Sequence, residues 1–342
     1  MSQDGAGRGH RVLAFRNKAP MPSEGHLNSL KVLYSQAQGN GRGVAVNTSV
    51  RLSRHISSTP ERMLDAPGMV DDYYLNLLSW GNNNLLAVAL GPTVYLWDPA
   101  TGQIEDLPCL EGDDDYVCSV NFIAEGGTHI AIGTCHGQTQ LWDVTQRKQV
   151  RSMDGHSSRV SALSWNKHVV SSGGRDGNIV HHDVRVQRHA VRVLRGHTQE
   201  VCSLAWSPNG ATLASGANDN LVNLWDASVA SGDFGGVPRA TLTDHCAAVK
   251  ALAWCPFEAN LLATGAGTAD RCIKFWNGAS GALLNSVDTG TQVCALQWSR
   301  TEKELLSSHG YIDNSLCLWK YPSMVKVGIA LEASTERVQW CI

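Results

Sequence analysis

The sequence predicts an all-β fold: a β-propeller with six recognisable four-stranded blades, the stub of a seventh, and a mostly disordered N-terminal tail. Three observations carry this. The phrase Tyr95-Leu96-Trp97-Asp98 returns as Gln140-Leu141-Trp142-Asp143, Asn223-Leu224-Trp225-Asp226, Lys274-Phe275-Trp276-Asn277 and Cys317-Leu318-Trp319-Lys320. With His182 standing at the aromatic position of Val180-His181-His182-Asp183, the units follow one another at intervals of 40 to 51 residues. A period of this size closing on Trp-Asp marks the blade of a WD-repeat propeller. The second observation is Gly155-His156, Gly196-His197 and the variant Asp244-His245, 26 to 32 residues before the aromatic position. The third is the alternating apolar stretch that follows each of these pairs, Val160 to Trp165, Val201 to Trp206 and Val249 to Trp254. Its period of two fits a strand with one buried face.

Residues 1–54 are rich in Gly, Ser, Asn and Arg and show little periodicity, so they read as a flexible tail. Two apolar islands interrupt it, Arg11 to Phe15 and Leu30 to Tyr34. Such islands commonly fold on binding, for instance by adding a strand to a partner's sheet; a chance apolar run is the other reading. The propeller is expected over residues 55–327, with a divergent stub at 328–342. Residues 55–65 are expected to form the strand that completes the last blade. Within each unit the alternating stretch is the inner strand. A strand of small residues follows, as in Leu213 to Gly216 or Leu262 to Gly265, then a polar turn and the Trp strand. In four units an Asp stands six residues before the aromatic position, at Asp176, Asp219, Asp270 and Asp313. A carboxylate in a tight turn accepts hydrogen bonds from turn N–H groups and from a nearby histidine. His197, Ser215, Asp219 and Trp225 are therefore expected to form one buried network. A His-Ser-Asp set also suits nucleophilic catalysis, but catalysis needs one site, and this set recurs with Thr264, Asp270 and His245; a repeated network is scaffolding.

The chain has 342 residues, 43% hydrophobic, with 33 Gly and 11 Trp, enough for a large core. A formal charge of −3 argues against a general nucleic-acid-binding surface, and no run of 18 apolar residues spans a membrane. The ten cysteines contain no C-x-x-C pair, and several, such as Cys202 and Cys294, fall on buried strand positions, which suits reduced core thiols in an intracellular protein. His181, His182 and Asp183 are the one cluster resembling metal ligands, but adjacent strand residues face opposite ways, so no metal is assigned. No phosphate loop, paired-carboxylate site or nucleophile elbow is present, and no cofactor is expected. No polar constellation that breaks the repeat is evident, which disfavours a propeller enzyme. Thr59-Pro60 is a minimal proline-directed phosphorylation site.

Further phrases stand in a specific order: Leu30 to Gln36 (LKVLYSQ), Arg62 to Pro67 (RMLDAP), Asp72 to Leu77 (DYYLNL), Leu86 to Leu90 (LAVAL), His181 to Arg185 (HHDVR), Asn218 to Asn223 (NDNLVN) and Lys320 to Pro322 (KYP). None is demanded by a propeller in general. Together they resemble the Fizzy family, the cell division cycle protein 20 group of coactivators for the anaphase-promoting complex, a ubiquitin ligase. The resemblance runs from about residue 11 to about residue 327.

What the resemblance implies is an adaptor, not an enzyme, which captures KEN-box and destruction-box degrons of cell-cycle proteins such as cyclins and securin. Asp65 matches the acidic residue that receives the destruction-box arginine. Asp72, Tyr73, Asn218, Asn220, Thr268 and Gln292 match the positions lining the KEN pocket, with ordinary turn chemistry as the other reading of Asn218 and Asn220. Arg11, Val12, Leu13 and Phe15 match the segment clasped by the spindle-checkpoint Mad protein, so Mad and Bub-type proteins join ligase subunits as implied partners, in the nucleus and cytoplasm. The departures imply an alternative. Neither the family's Asp-Arg-Phe/Tyr-Ile-Pro-x-Arg docking box nor an Ile-Arg tail is found, and past Val327 the expected repeat is replaced by Ile329 to Val338. An open, strained ring is expected, and a truncated scaffold or competitor that binds partners without stimulating ligase is the second reading.

Overall fold

The computed structural model describes residues 56, 62–110, 114–124, 126–227, 236–310 and 314–332. They form six antiparallel four-stranded sheets, each in simple sequence order. Blade 1 comprises β1 (Leu78–Trp80), β2 (Leu86–Leu90), β3 (Thr93–Trp97) and β4 (Ile104–Pro108); blade 2 comprises β5 (Val117–Phe122), β6 (His129–Thr134), β7 (Gln138–Asp143) and β8 (Lys148–Asp154). Blade 3 is β9 (Val160–Asn166), β10 (Val169–Gly174), β11 (Asn178–Asp183) and β12 (Ala190–Arg195). Blade 4 is β13 (Val201–Trp206), β14 (Thr212–Ala217), β15 (Val222–Asp226) and β16 (Ala240–Leu242). Blade 5 is β17 (Val249–Trp254), β18 (Leu261–Ala266), β19 (Cys272–Asn277) and β20 (Leu283–Asp288), and blade 6 is β21 (Val293–Trp298), β22 (Glu304–His309), β23 (Ser315–Lys320) and β24 (Val325–Glu332).

Blade stacking explains the small-residue strands. A Cβ on Gly173 of β10 would lie 2.6 Å from Val201 Cγ1, the first residue of the next inner strand. Gly133 meets Val160 in the same way, Gly216 meets Val249, and Gly265 meets Val293. Glycine at that register lets each blade press against its successor; any side chain would push the blades apart. At the other end of the inner strands, tryptophans tie blade to blade. Trp165 Nε1 donates to Asn121 O (3.0 Å), Trp254 Nε1 to Ala205 O (2.9 Å) and Trp298 Nε1 to Ala253 O (3.1 Å). Their rings fill the interblade core while the indole N–H is satisfied, as burial requires.

The predicted network is present and repeats. In blade 4 His197 bonds to Asp219 (3.1 Å) and to Ser215 (2.7 Å), and Trp225 Nε1 donates to the same Ser215 hydroxyl (2.9 Å). Asp219 also accepts from Thr198 N and Leu221 N, so one carboxylate closes the turn and holds the histidine. Blade 5 repeats the set with His245, Asp270, Thr264 and Trp276, and blade 3 with His156, Asp176, Ser172 and His182. In blade 6 Ser307 joins His309 and Trp319; Asp313 lies outside the described residues.

Two boundaries differ from expectation. The fourth strand of blade 6 runs on to Glu332, so the limit drawn at Val327 falls inside it. Its backbone pairs along β23 as far as Glu332 opposite Ser315. The closing strand expected at 55–65 is absent at Ile56 and at Arg62–Asp65, the described residues of that stretch. Inner strands pack in the order β1, β5, β9, β13, β17, β21, and this packing does not continue to the same extent from β21 to β1. Trp80, at the end of β1, is 44% exposed and its indole N–H turns to Asn84 (3.3 Å) in its own hairpin.

Candidate functional site

At the end of the ring where the His-Asp turns lie, blades 2 to 6 each extend their first strand pair by one more hydrogen bond. Cys135 N donates to Tyr116 O (3.0 Å), Arg175 N to Arg159 O (2.9 Å), Asn218 N to Glu200 O (2.9 Å), Gly267 N to Ala248 O (3.0 Å) and Gly310 N to Gln292 O (3.3 Å). The backbone geometry repeats but the side chains do not. Blade 2 presents Tyr116 and Cys135, blades 3 and 4 present arginines, a carboxylate and an amide, and blade 5 presents Ala248 and Gly267. The positions that circle the channel mouth are therefore free of the repeat.

Into this mouth the chain threads residues 72–76 ahead of β1. Asp72 Oδ2 accepts from Arg159 Nη1 (2.7 Å), and Arg159 grips Glu200 bidentately through Nε (2.7 Å) and Nη2 (2.8 Å). Tyr74 OH donates to Asn218 Oδ1 (2.7 Å), and Asn218 Nδ2 donates to Gln199 Oε1 (2.6 Å). Tyr73 OH donates to Ala248 O (3.3 Å) with Lys250 Nζ 5.3 Å from its ring centre, and Lys250 donates to Leu75 O (2.9 Å). Asn76 Nδ2 reaches Ser161 O (2.6 Å) and Cys202 O (3.0 Å). One short segment thus touches the inner strands of several blades and fixes the floor of the mouth.

A pocket of about 620 Å³ opens above it, lined by Asp72, Tyr74, Arg159, Arg175, Gln199, Glu200 and Asn218. Burial alone would lower the Arg159 pKa, but its hydrogen bonds to Glu200 and then Asp72 outweigh burial and hold the guanidinium firmly charged. Two carboxylates share this one guanidinium, which leaves the triad one negative charge in excess. Burial raises the phenols of Tyr73 and Tyr74, so both stay neutral hydrogen-bond donors. The pocket can hold a cation against Asp72 and Glu200, whose carboxylates keep unused lone pairs, and polar groups against Asn218 and Gln199.

The structure brings Asp72 and Asn218 into this pocket, with Tyr73 beside it. Thr268 and Gln292 pair with each other (2.9 Å) next to Gly267, where an added Cβ would stand 3.9 Å from Tyr73 OH. Asn220 takes a turn position with φ +67°, a conformation that Asn tolerates, so its backbone serves the turn that Asp219 closes. Asp65 is exposed on a stretch without strand pairing and forms no ion pair among the described residues. Arg11, Val12, Leu13, Phe15 and Thr59 lie outside the described residues.

Sequence reasoning missed Tyr74, Arg159, Arg175, Gln199 and Glu200, and the expectation of no constellation that breaks the repeat is corrected by the Asp72, Arg159 and Glu200 triad. The signal was available: Tyr116, Arg159, Glu200, Ala248 and Gln292 each stand directly before the valine that opens an inner strand, and no two are alike. No group of three or more His, Cys, Asp or Glu could hold a metal among the described residues. His181 and His182 bond to different serines, Ser171 (2.8 Å) and Ser172 (2.9 Å), as their alternation along β11 requires.

Comparison with known proteins agrees with this architecture. Residues 64–341 match the model of the CDC20/Fizzy WD40 domain. The chain is 52% identical over 317 residues to the anaphase-promoting complex subunit cdc20 of Dictyostelium discoideum, covering 92% of this chain and 62% of that protein. It is 52% identical over 330 residues to cell division cycle 20.1, cofactor of APC complex, of Arabidopsis thaliana, covering 96% of this chain and 70% of that protein. It therefore spans about two thirds of the length of these relatives. A chain in the crystal structure of a mitotic checkpoint complex superposes with a TM-score of 0.78 at 48% identity, covering 84% of this chain and 89% of that one. With a propeller of six WD-type blades, a mouth that departs from the repeat and a family match over most of its length, the chain belongs to the CDC20/Fizzy WD40 family.

Proposed function

We propose that this protein is a non-catalytic substrate-recognition adaptor and activator of the anaphase-promoting complex, and that the channel mouth receives the KEN-box degron. The observation that carries the reading is the local excess negative charge of the Asp72, Arg159 and Glu200 triad, in a pocket whose other lining is the Tyr74 phenol, the Gln199 and Asn218 amides and the exposed Arg175. A lysine ammonium completes that charge balance, and desolvation at the mouth strengthens the contact over one on an open surface. Asn218 and Gln199 supply both donors and acceptors for the degron's amide and carboxyl groups. Gln292 and Thr268 do the same beside Tyr73, where Ala248 and Gly267 leave room.

The relatives' names support the ligase as the partner, and the checkpoint-complex chain supports Mad and Bub-type proteins as a second set of partners. Exposed Asp65 is the proposed contact for the destruction-box arginine, and cyclins and securin are the class of substrate. The protein would act in the nucleus and cytoplasm. The test is binding of fluorescent KEN and destruction-box peptides to the purified chain. Asp72→Ala should weaken the KEN peptide by about tenfold, roughly 1.4 kcal/mol, and leave the destruction-box peptide unchanged; Asp65→Ala should do the reverse. A folded sample that binds neither peptide would end the adaptor reading.

A further inference from the structure

Blade 2 places two thiols where the blades after it place one or none. A β-bulge recurs at the second residue of the inner strand in blades 2 to 6, at Cys118, Ser161, Cys202, Lys250 and Cys294. The extra residue of a bulge leaves the ladder, and its side chain is re-aimed. Across from each stands the residue whose N–H extends the strand pair, in order Cys135, Arg175, Asn218, Gly267 and Gly310. Of these five pairs only Cys118 with Cys135 is a pair of thiols. The two converge on one carbonyl. Cys118 Sγ lies 3.7 Å from Tyr116 O, and Cys135 N donates to the same oxygen (3.0 Å) and to Asp115 Oδ1 (3.0 Å). The thiols are hydrogen-bonding neighbours, and Cys135 also hydrogen-bonds with the Tyr116 phenol. Cys118 is fully buried, whereas Cys135 is partly exposed beside the exposed His136.

We infer that Cys118 and Cys135 form a redox-sensitive modification site, at which a hydroperoxide converts two thiols into a cross-strand disulfide. Cys135, the accessible thiol, reacts first. Its sulfur attacks the peroxide, the O–O bond breaks, and Cys135 becomes a sulfenic acid while water or an alcohol leaves. The Cys118 sulfur then attacks the Cys135 sulfur, the S–O bond breaks, and the hydroxyl departs as water with the Cys118 proton. Two electrons pass from the thiol pair to one hydroperoxide, and a dithiol reductant returns them. Burial, with a smaller contribution from Cys135, pushes the Cys118 thiol up, so it keeps its proton at neutral pH and does not compete for the peroxide. Its part is to resolve the sulfenic acid, and its place beside Cys135 gives it the advantage of proximity. The sulfurs must close to about 2.05 Å, and because the bulge leaves Cys118 outside the ladder its backbone is free to follow.

The experiment treats the folded full chain with hydrogen peroxide, alkylates the remaining thiols and weighs peptides cut after Glu125, which stands between the two cysteines. The expected product links the Cys118 and Cys135 peptides, is two hydrogens lighter than the reduced pair, and disappears on reduction. Exposed Cys246 serves as the control that oxidises without an internal partner. In Cys118→Ser the resolving thiol is missing, so Cys135 should accumulate as a sulfenic acid that dimedone captures. That gain is confined to one residue, which a general loss of folding does not imitate. In Cys135→Ser the buried Cys118 should remain a free thiol, alkylated only after unfolding in urea. Oxidation of the two cysteines independently of each other, linkage of either to a different cysteine in preference, or no dimedone adduct at Cys135 in Cys118→Ser would overturn the inference. No degron enters the experiment, so its failure leaves the adaptor reading standing.

Discussion

Asn218 and Asp219 are neighbours in one turn of blade 4, and they obey opposite rules. Asp219 turns into the blade, where it holds His197 and two backbone N–H groups; Asp176 does the same in blade 3, and Asp270 holds His245 and Cys246 N in blade 5. Asn218 turns to the channel mouth, where it links Tyr74 to Gln199, and its counterparts are Arg175 and Gly267. The backbone hydrogen bond at that position is the same in all three blades. Repetition of a side chain thus marks what the fold requires, and departure from repetition at a fixed backbone position marks what a ligand would read.

The largest effect expected from breaking this contrast is on the scaffold side. Asp219→Ala leaves His197, Thr198 N and Leu221 N without their acceptor in a buried network, at a cost of roughly 3 kcal/mol. Thermal melting should show that loss, and peptide affinity should fall only with the folded fraction. Acid is the next lever, because blade 3 departs from the scaffold rule by placing His182 where the other blades place Trp. Burial, with smaller contributions from His189 and other cations, lowers the His182 pKa to about 3, and burial followed by Arg192 lowers that of His181 to about 4. The folded pKa values lie below the unfolded one near 6.5, so this stability is fully present above about pH 6.5 and is lost as pH falls toward 4 and then 3. By pH 5 the loss is roughly 2 kcal/mol per histidine. Melting temperature should drop between pH 7 and pH 5, and His182→Trp, which restores the indole over Ser172, should reduce the drop. The carboxylate of Asp270 titrates in a lower window: burial opposes its ionisation, but the hydrogen bond from His245 prevails and brings it to about 2. Its contribution is present above about pH 3.8 and disappears only toward pH 2.

On the receptor side the effects move from stability to binding. Glu200→Gln keeps the size of the side chain but removes the excess negative charge and one of the two acceptors that Arg159 uses. A lysine-bearing peptide should bind about tenfold more weakly, beyond what the folded fraction explains, while the lost acceptor costs roughly 1–3 kcal/mol of stability. Matched titrations and melts on the same preparation separate the two quantities.

How far the sequence could be read follows the same division. The Trp-Asp phrases, the His197 to Trp225 network and the small strands were legible because each is written several times, and glycine against valine has one steric explanation wherever it recurs. Asp72 and Asn218 were found through family resemblance, whereas Arg159 and Glu200 were passed over. Each of those two occurs once, and the three partners of the ion pair lie far apart in sequence and meet only when residues 72–76 cross the mouth. Asn220 shows the converse: it looked like a ligand contact, but its left-handed backbone also answers to the turn. The extension of β24 to Glu332 was missed because the repeat phrase ends at Lys320 and the strand beyond it carries only alternation.

The channel mouth is proposed to bind a degron through side chains the fold does not need. The most direct test is an anisotropy titration of a Lys-Glu-Asn peptide against wild type and Asn218→Ala, with thermal melts of both. An affinity loss of about tenfold is expected, with melting temperatures that coincide within about two degrees, since Tyr74 and Gln199 at this half-exposed position can turn to water. Unchanged affinity in Asn218→Ala, or a loss of affinity that merely follows a fall in melting temperature, would contradict it.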